Sequence, residues 1–269
     1  MEATAKVSSI FIYPVKSCRG ISLSQAPLTP TGFRWDRNWL VVNNRGRAYT
    51  QRVEPKLALV EIELPDEAFS EGWEPTKNSF MKIKAPGMSV LKISLMKPSE
   101  VAEGVSVWEW SGSALDEGAE AAKWFSDYLG KPSKLGSLDA LNQLLREPVP
   151  INRFRPNILV EGCEPFSEDL WTEIRISKFT FEGVKLCSRC KIPTINQDTG
   201  IGGTEPNETL KKIRSDRVLR PDTKPQGKIY FGQNLVWKEN PGEGHGKIVN
   251  VGDPVSVLKK VSSVAEAAA

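Results

Sequence analysis

The sequence predicts a mainly β protein with a few helices, an α+β chain built as two barrel-like or sandwich-like lobes. Three observations carry that expectation. Segments that alternate apolar and polar, or run apolar over five to eight residues, fill the chain to residue 110 and return from residue 157 to 258. Helical periodicity clusters near the middle of the chain, between these two runs. No GxGxxG turn or Walker loop follows any strand, which argues against a doubly wound nucleotide-binding sheet.

The elements follow in order. SIFIYPV, ISLSQAPL, NWLVV, LALVEIEL, SVLKISLM and VSVWEW read as strands, and Asn43, Asn44, Arg45 and Gly46 form a hairpin turn between WLVV and RAYTQ. Residues 66–78 read as an exposed loop. Ala121, Trp124, Phe125, Tyr128 and Leu129 fall on one helical face, and Gly130 and Pro132 stop that helix. A second short helix is expected from a Ser137 cap, with Leu138, Leu141, Leu144 and Leu145 as its stripe and Pro148 as its end. NILVEG, TEIRIS, FTFEGVKL and IPTIN return to strand. A third helix begins at Pro206 with Leu210 and Ile213 inward. IYFGQNLVWKE and KIVNVGDPVSVL are the last strands, and SSVAEAAA is expected to fray. The expected division is a first lobe over 5–125, a second over 126–260 and a tail over 261–269.

Composition excludes several classes. With 36 Lys+Arg against 33 Asp+Glu the net charge is +3, too balanced for a nucleic-acid binder, so any anion site must be local. No stretch reaches the ~20 apolar residues of a transmembrane helix, and the N-terminus lacks the apolar region of a signal peptide. Four cysteines in 269 residues do not make a disulfide framework and fit a reducing compartment.

The stretch CSRCKIPTINQDTG carries the chemistry. Cys187 and Cys190 could be half of a zinc site, a redox dithiol, a buried pair, or one thiolate ligand beside a bystander. Zinc wants four ligands, and the remaining candidates, Cys18, Cys163 and the Gly-rich-turn residue His245, form no second close pair. Spacing treats the two cysteines alike. Basic residues recur where strands meet turns: Lys16 beside Ser17, Arg37, Arg153, Arg155 and Arg189. Guanidinium forks converging on one rim suit a phosphate or another dianion, and cations beside a thiolate favour its ionised, metal-binding form.

IYPVKSCRG, WDRNWLVV, YTQRVEPKLALV, NRFRPNILVEGCEPFSEDLW, CSRCKIPTINQDTG, FGQNLVWKENPG and VGDPV together resemble the MOSC-domain family, most of all its amidoxime-reducing members and their plant relatives. The resemblance spans nearly the whole chain. It implies an N-terminal β-barrel-like domain packed on a MOSC β-barrel, with a molybdenum cofactor (a molybdopterin) between them. It implies Cys190 as the molybdenum ligand and Lys16, Ser17, Arg37, Arg155, Ser188, Arg189 and Asn234 as cofactor contacts. The implied activity is reduction of N-hydroxylated compounds such as amidoximes and hydroxylamines. Cytochrome b5 and its NADH-dependent reductase are the implied electron donors. A sulfur carrier or partner in cofactor maturation, of the sulfurase type, is the alternative. The expected protein is a monomer, cytoplasmic or peripheral to mitochondria, without the membrane anchor of animal relatives. One departure stands out. The stretch from 131 to 137 passes to the next element in a few residues, where the family carries more, including a strand near the cofactor. That shortening is expected to impair cofactor retention and activity.

Overall fold

The structure, a computed structural model, describes residues 5–107, 110–137, 151–238 and 247–267. The first run of strands is β1 (Lys6–Ile12), β2 (Ile21–Leu23), β3 (Gln25–Thr29), β4 (Gly32–Phe33), β5 (Trp39–Asn43), β6 (Glu61–Glu63), β7 (Phe80–Lys84), β8 (Leu91–Ser94), β9 (Val101–Val107) and β10 (Trp110–Asp116). Helix α1 (Ala119–Leu129) and β11 (Ser133–Ser137) follow. Then come β12 (Ile158–Glu161), β13 (Trp171–Ile176), β14 (Phe179–Ser188), α2 (Asn207–Ile213), α3 (Asp216–Leu219), β15 (Tyr230–Lys238), β16 (Ile248–Asn250), β17 (Val255–Lys260) and α4 (Val264–Ala267).

The strands form five small sheets, ordered β12-β1-β2, β5-β11-β10-β9, β15-β14-β13-β17, β16-β3-β4 and β6-β7-β8. Every paired strand in them runs antiparallel. The mainly β, few-helix expectation holds. Helix α1 forms as its periodicity requires, burying Ala121, Trp124, Phe125 and Leu129 and closing at Gly130, whose φ of 66° is left-handed.

Two large cores organise the molecule. One joins Val15, Trp39, Leu57, Met81, Phe125 and Leu135. The other joins Val7, Ile10 and Phe33 from the start of the chain to Trp171, Ile174, Phe179 and Val255. Residues 5–12 and 21–33 therefore pack with the C-terminal strands, because β1 pairs with β12 and β3 with β16. The crossing segments 13–20 and 34–38 pass between the cores, and Lys16, Ser17 and Arg37 sit on them.

Four local expectations are corrected. Ser137, expected as a helix cap, is the last residue of β11, opposite Trp39, because its backbone serves a five-residue ladder with β5. The rest of that expected helix, like His245, lies outside the described residues. LALVEIEL is a strand only over Glu61–Glu63. Pro55 opens a 3-10 turn that buries Leu57 and Ala58, and an apolar run without period fits either state. IPTIN is a 3-10 turn around Pro193, which has no N–H for a ladder. Ile213 is half exposed, because α2 ends there and Arg214 turns inward in its place. The tail forms one helical turn, with Glu266 accepting from Ser262 Oγ at 2.7 Å.

Candidate anion and thiolate site

Local geometry first brings the basic residues in from the strand ends. Ser17, Arg37 and Arg155 all have positive φ (70°, 56° and 53°), a conformation that costs energy for non-glycine residues and clusters at functional sites. Pro156 keeps Arg155 out of right-handed helix. The Arg37 N–H donates to the Tyr13 carbonyl at 2.9 Å, and Lys16 N–H donates to the Trp39 carbonyl at 2.7 Å. These bonds stitch segment 13–20 to residues 37–39.

Read from the sequence as basic residues converging on one rim, Lys16, Arg37 and Arg155 are each at most 5% exposed. The two guanidiniums stack on the Tyr13 ring, with Cζ 4.9 Å (Arg37) and 4.1 Å (Arg155) from its centroid. Arg37 is tied down: Nη1 donates to Asp36 and to Asn157 Oδ1 (3.0 Å), and Nη2 to the Arg155 carbonyl (3.1 Å). Arg155 is less so. Its Nη1 donates to the Cys18 carbonyl at 2.6 Å, while Nη2 is buried without a partner among the described residues. Burial pulls Arg155 down to about 10, and the neighbouring Arg37 adds to the effect. Burial, then Arg37, Arg155 and Arg52, pulls the Lys16 ammonium down to about 7, while Cys190 acts to raise it. The cluster is short of negative charge, and Cys190 is near enough to feel it.

The two cysteines of CSRC part company. Cys187 lies in β14, 2% exposed, and faces the interior cavity. Cys190 lies past the strand end, partly exposed, with the Ile192 N–H on its Sγ at 3.5 Å and Asn207 Nδ2 on its carbonyl at 2.8 Å. Arg189 turns the other way. Its Cζ lies 4.7 Å from the Phe154 ring centroid and 5.6 Å from that of Phe231, and Nη2 donates to the Phe231 carbonyl. Gly232, beside that guanidinium, has a φ of 78°, a backbone conformation that side-chain-bearing residues rarely adopt. Arg189 and Asn234 line the cavity together with Arg37 and Arg155. Ser188 is exposed at the end of β14, opposite Tyr230, and nothing in the described contacts draws it to the cluster. Lys16, Ser17, Arg37, Arg155 and Cys190 thus form one group. Arg189 and Asn234 adjoin it across the cavity.

Sequence reasoning missed what holds the group together. Gln51 and Gln197, both buried, exchange amide bonds at 2.9 Å in each direction. Gln51 also donates to the Ser17 carbonyl at 2.7 Å, and Gln197 to the Ile195 carbonyl at 3.1 Å. This clasp ties the Lys16 turn to the segment after Cys190. Both glutamines fall in quoted motifs, but an uncharged polar residue carries no periodic or charge signal. Gln51→Leu leaves three buried groups short of a bond, and is expected to cost about 1–3 kcal/mol in denaturant unfolding. Unchanged stability would show the clasp to be idle.

Lys16 makes a second expectation. Its folded value lies below the ordinary 10.5, so between about 7 and 10.5 the unfolded chain holds a proton that the folded chain does not. Stability then rises with pH through that window, by about 1.4 kcal/mol per pH unit for this one group. Lys16→Met is expected to remove that slope and to be the more stable protein at neutral pH. Parallel slopes for parent and variant would show that Lys16 is not held in this state.

The comparisons with known proteins agree with the motif reading. A family profile described as the MOSC N-terminal beta barrel domain matches residues 4–132, and one described as the MOSC domain matches residues 134–256. Mitochondrial amidoxime-reducing component 1 of Mus musculus is 31% identical over 307 aligned positions, covering 96% of this chain and 84% of that one. Its Homo sapiens counterpart is 31% identical over 292 positions, with the same coverage. Molybdenum cofactor sulfurase of Oryza sativa subsp. japonica is 28% identical over 290 positions, covering 87% of this chain and 32% of that protein.

Proposed function

The chain belongs to the MOSC-domain family, and from that premise we propose that it is a molybdenum-cofactor-dependent reductase of N-hydroxylated compounds. One observation carries the reading: a thiolate candidate, Cys190, beside a buried group of cations that lacks negative charge. The residues present fit the cofactor on two counts. Cys190 is a soft donor, partly exposed, with a backbone N–H on its sulfur. The orphaned Nη2 of Arg155 and the depressed ammonium of Lys16 both call for an anion, such as the cofactor's phosphate.

When bound, the cofactor supplies the electron pair that reduces the substrate's N–O bond. The chain's part is to bind and orient. Cys190 would hold the metal; Lys16, Ser17 and Arg155 would hold the anion; Arg37, fixed by Asp36 and Asn157, positions Arg155 through its carbonyl. Arg189 and Asn234 would close the site from the cavity side, and Ser188 would contribute from the end of β14. The proposed donors are cytochrome b5 and its NADH-dependent reductase, and the proposed substrates are amidoximes and hydroxylamines. The relatives' names include the word mitochondrial, which supports a place at the mitochondrial surface. No helix among the described residues is long and apolar enough to cross a membrane.

The aligned stretch with the mouse relative runs to 307 positions, more than the 269 residues of this chain. That relative therefore holds residues with no counterpart here, which supports the proposal that this form lacks an internal segment and is impaired. The kinship with a cofactor sulfurase supports a second reading, in which Cys190 carries a persulfide. Molybdenum and pterin per chain, with N-hydroxy reduction by the reconstituted donor system, test the first reading. A chain with neither metal nor pterin, but with a persulfide on Cys190, would establish the second.

A further inference from the structure

We propose that the basic segment 211–228 is a docking surface for an anionic lipid bilayer. The segment holds seven Lys+Arg against two Asp. That excess is larger than the +3 of the whole chain, so positive charge is concentrated here while the rest of the sequence is slightly acidic.

The fold gathers these charges and leaves them open. Helix α2 buries Leu210 and leaves Lys211 and Lys212 exposed, while Arg214 is withdrawn to Asp169. The loop after α3 folds back on that helix. Asp216 accepts from the backbone N–H groups of Arg217, Gln226 and Lys228, and its own N–H donates to the Lys228 carbonyl at 2.9 Å. The stretch that carries Lys224 and Lys228 is thereby held against the turn that carries Arg217. The Asp216 carboxylate is buried on those amides, which leaves Asp222 as the one exposed acid of the segment. Lys211, Lys212, Arg217, Lys224 and Lys228 are all exposed, and none of them pairs with a carboxylate among the described residues.

Two apolar side chains decide the partner. Ile213 and Val218 stand 50% and 52% exposed among these cations. Apolar residues scattered singly over a surface are ordinary. A close pair of them interleaved with Lys and Arg is the composition of an interfacial segment: the cations meet lipid headgroups, and the apolar side chains enter the acyl boundary. A soluble polyanion would engage the cations and leave both apolar side chains in water. The surface also adjoins the candidate site, since Asn207, the first residue of α2, donates to the Cys190 carbonyl at 2.8 Å. Docking here keeps Cys190 close to the bilayer. The inference stands on charge and exposure alone, so its test needs no cofactor and is independent of the reductase reading.

The test is co-sedimentation of the whole chain with lipid vesicles. Binding is expected to phosphatidylcholine vesicles that contain about one-third phosphatidylserine, and not to phosphatidylcholine alone. It is expected to weaken steeply between about 0.1 M and 0.5 M salt. Each cation near such a leaflet contributes about fivefold, so Lys211→Glu with Lys212→Glu is expected to lower affinity by at least about 25-fold. Ile213→Ser with Val218→Ser keeps every charge and is expected to lower it by about tenfold. All four side chains are exposed, so both variants keep the fold. No binding to the anionic vesicles would overturn the proposal, as would undiminished binding after the charge reversal. Equal binding by the Ile213→Ser, Val218→Ser variant would also overturn it, in favour of a soluble acidic partner.

Discussion

Serine in place of Cys190 is expected to leave the purified chain without molybdenum, while alanine in place of Cys187 leaves metal content near that of the parent. The two cysteines are three residues apart, but their surroundings differ in kind. Cys187 points from β14 into the cavity and is 2% exposed, where a thiolate would be desolvated. Cys190 stands past the strand end, beside Lys16 and the arginines that act on Lys16, with a backbone N–H on its sulfur. A serine hydroxyl there is harder and far less acidic than a thiol, so a soft metal loses its ligand. The loss in metal affinity should be at least about 100-fold, the upper range for removing only an outer-shell partner. Elemental analysis of parent, Cys190→Ser and Cys187→Ala, prepared in one cofactor-competent host, decides it. Equal loss from both cysteine variants would mean that the pair acts together. Full retention in Cys190→Ser would remove Cys190 from the site.

Breaking the Asp169–Arg214 pair is expected to be the largest stability effect in the molecule. Asp169 has no exposure, and Arg214 donates to it through Nη2 and to the Tyr230 carbonyl through Nε at 3.3 Å. The Arg214 Cζ also lies 4.4 Å from the Phe166 ring centroid. The pair thereby pins segment 166–170 to the start of β15. Burial raises the Asp169 carboxyl, and the attraction of Arg214 only partly offsets it. Oδ1 is moreover buried without a partner among the described residues. This is a charge pair whose desolvation is not fully recovered. Arg214→Leu leaves the carboxylate buried alone and should cost about 3–5 kcal/mol in denaturant unfolding. The double variant Asp169→Leu with Arg214→Met should recover most of that loss. A single variant within about 1 kcal/mol of the parent would show that the pair is solvated and weak.

Much of this was legible in the residues themselves. The 3.6-residue period of 121–129 sets helix α1, because a helix is a local structure whose apolar face is written within three turns. Strands β13, β14 and β15 carry runs long enough to be read directly. The basic residues at strand ends were also visible, because charge and turn chemistry are local properties.

Tertiary structure decided the rest. Residues 133–137 read as a mere connection, yet they form a strand against residues 39–43, some ninety positions earlier in the chain. No local pattern encodes a partner that far away. Burial of Lys16 and Arg37 came from the packing of two cores on either side of segments 13–20 and 34–38, which, with Arg155 brought in beside them, turned basic residues at strand ends into a desolvated group. The same packing separated Cys187 from Cys190, because a strand face points one cysteine inward and the strand's end releases the other. Spacing fixes how far apart two thiols lie along a chain. The dielectric and the charges around each of them are set by segments that only folding brings near.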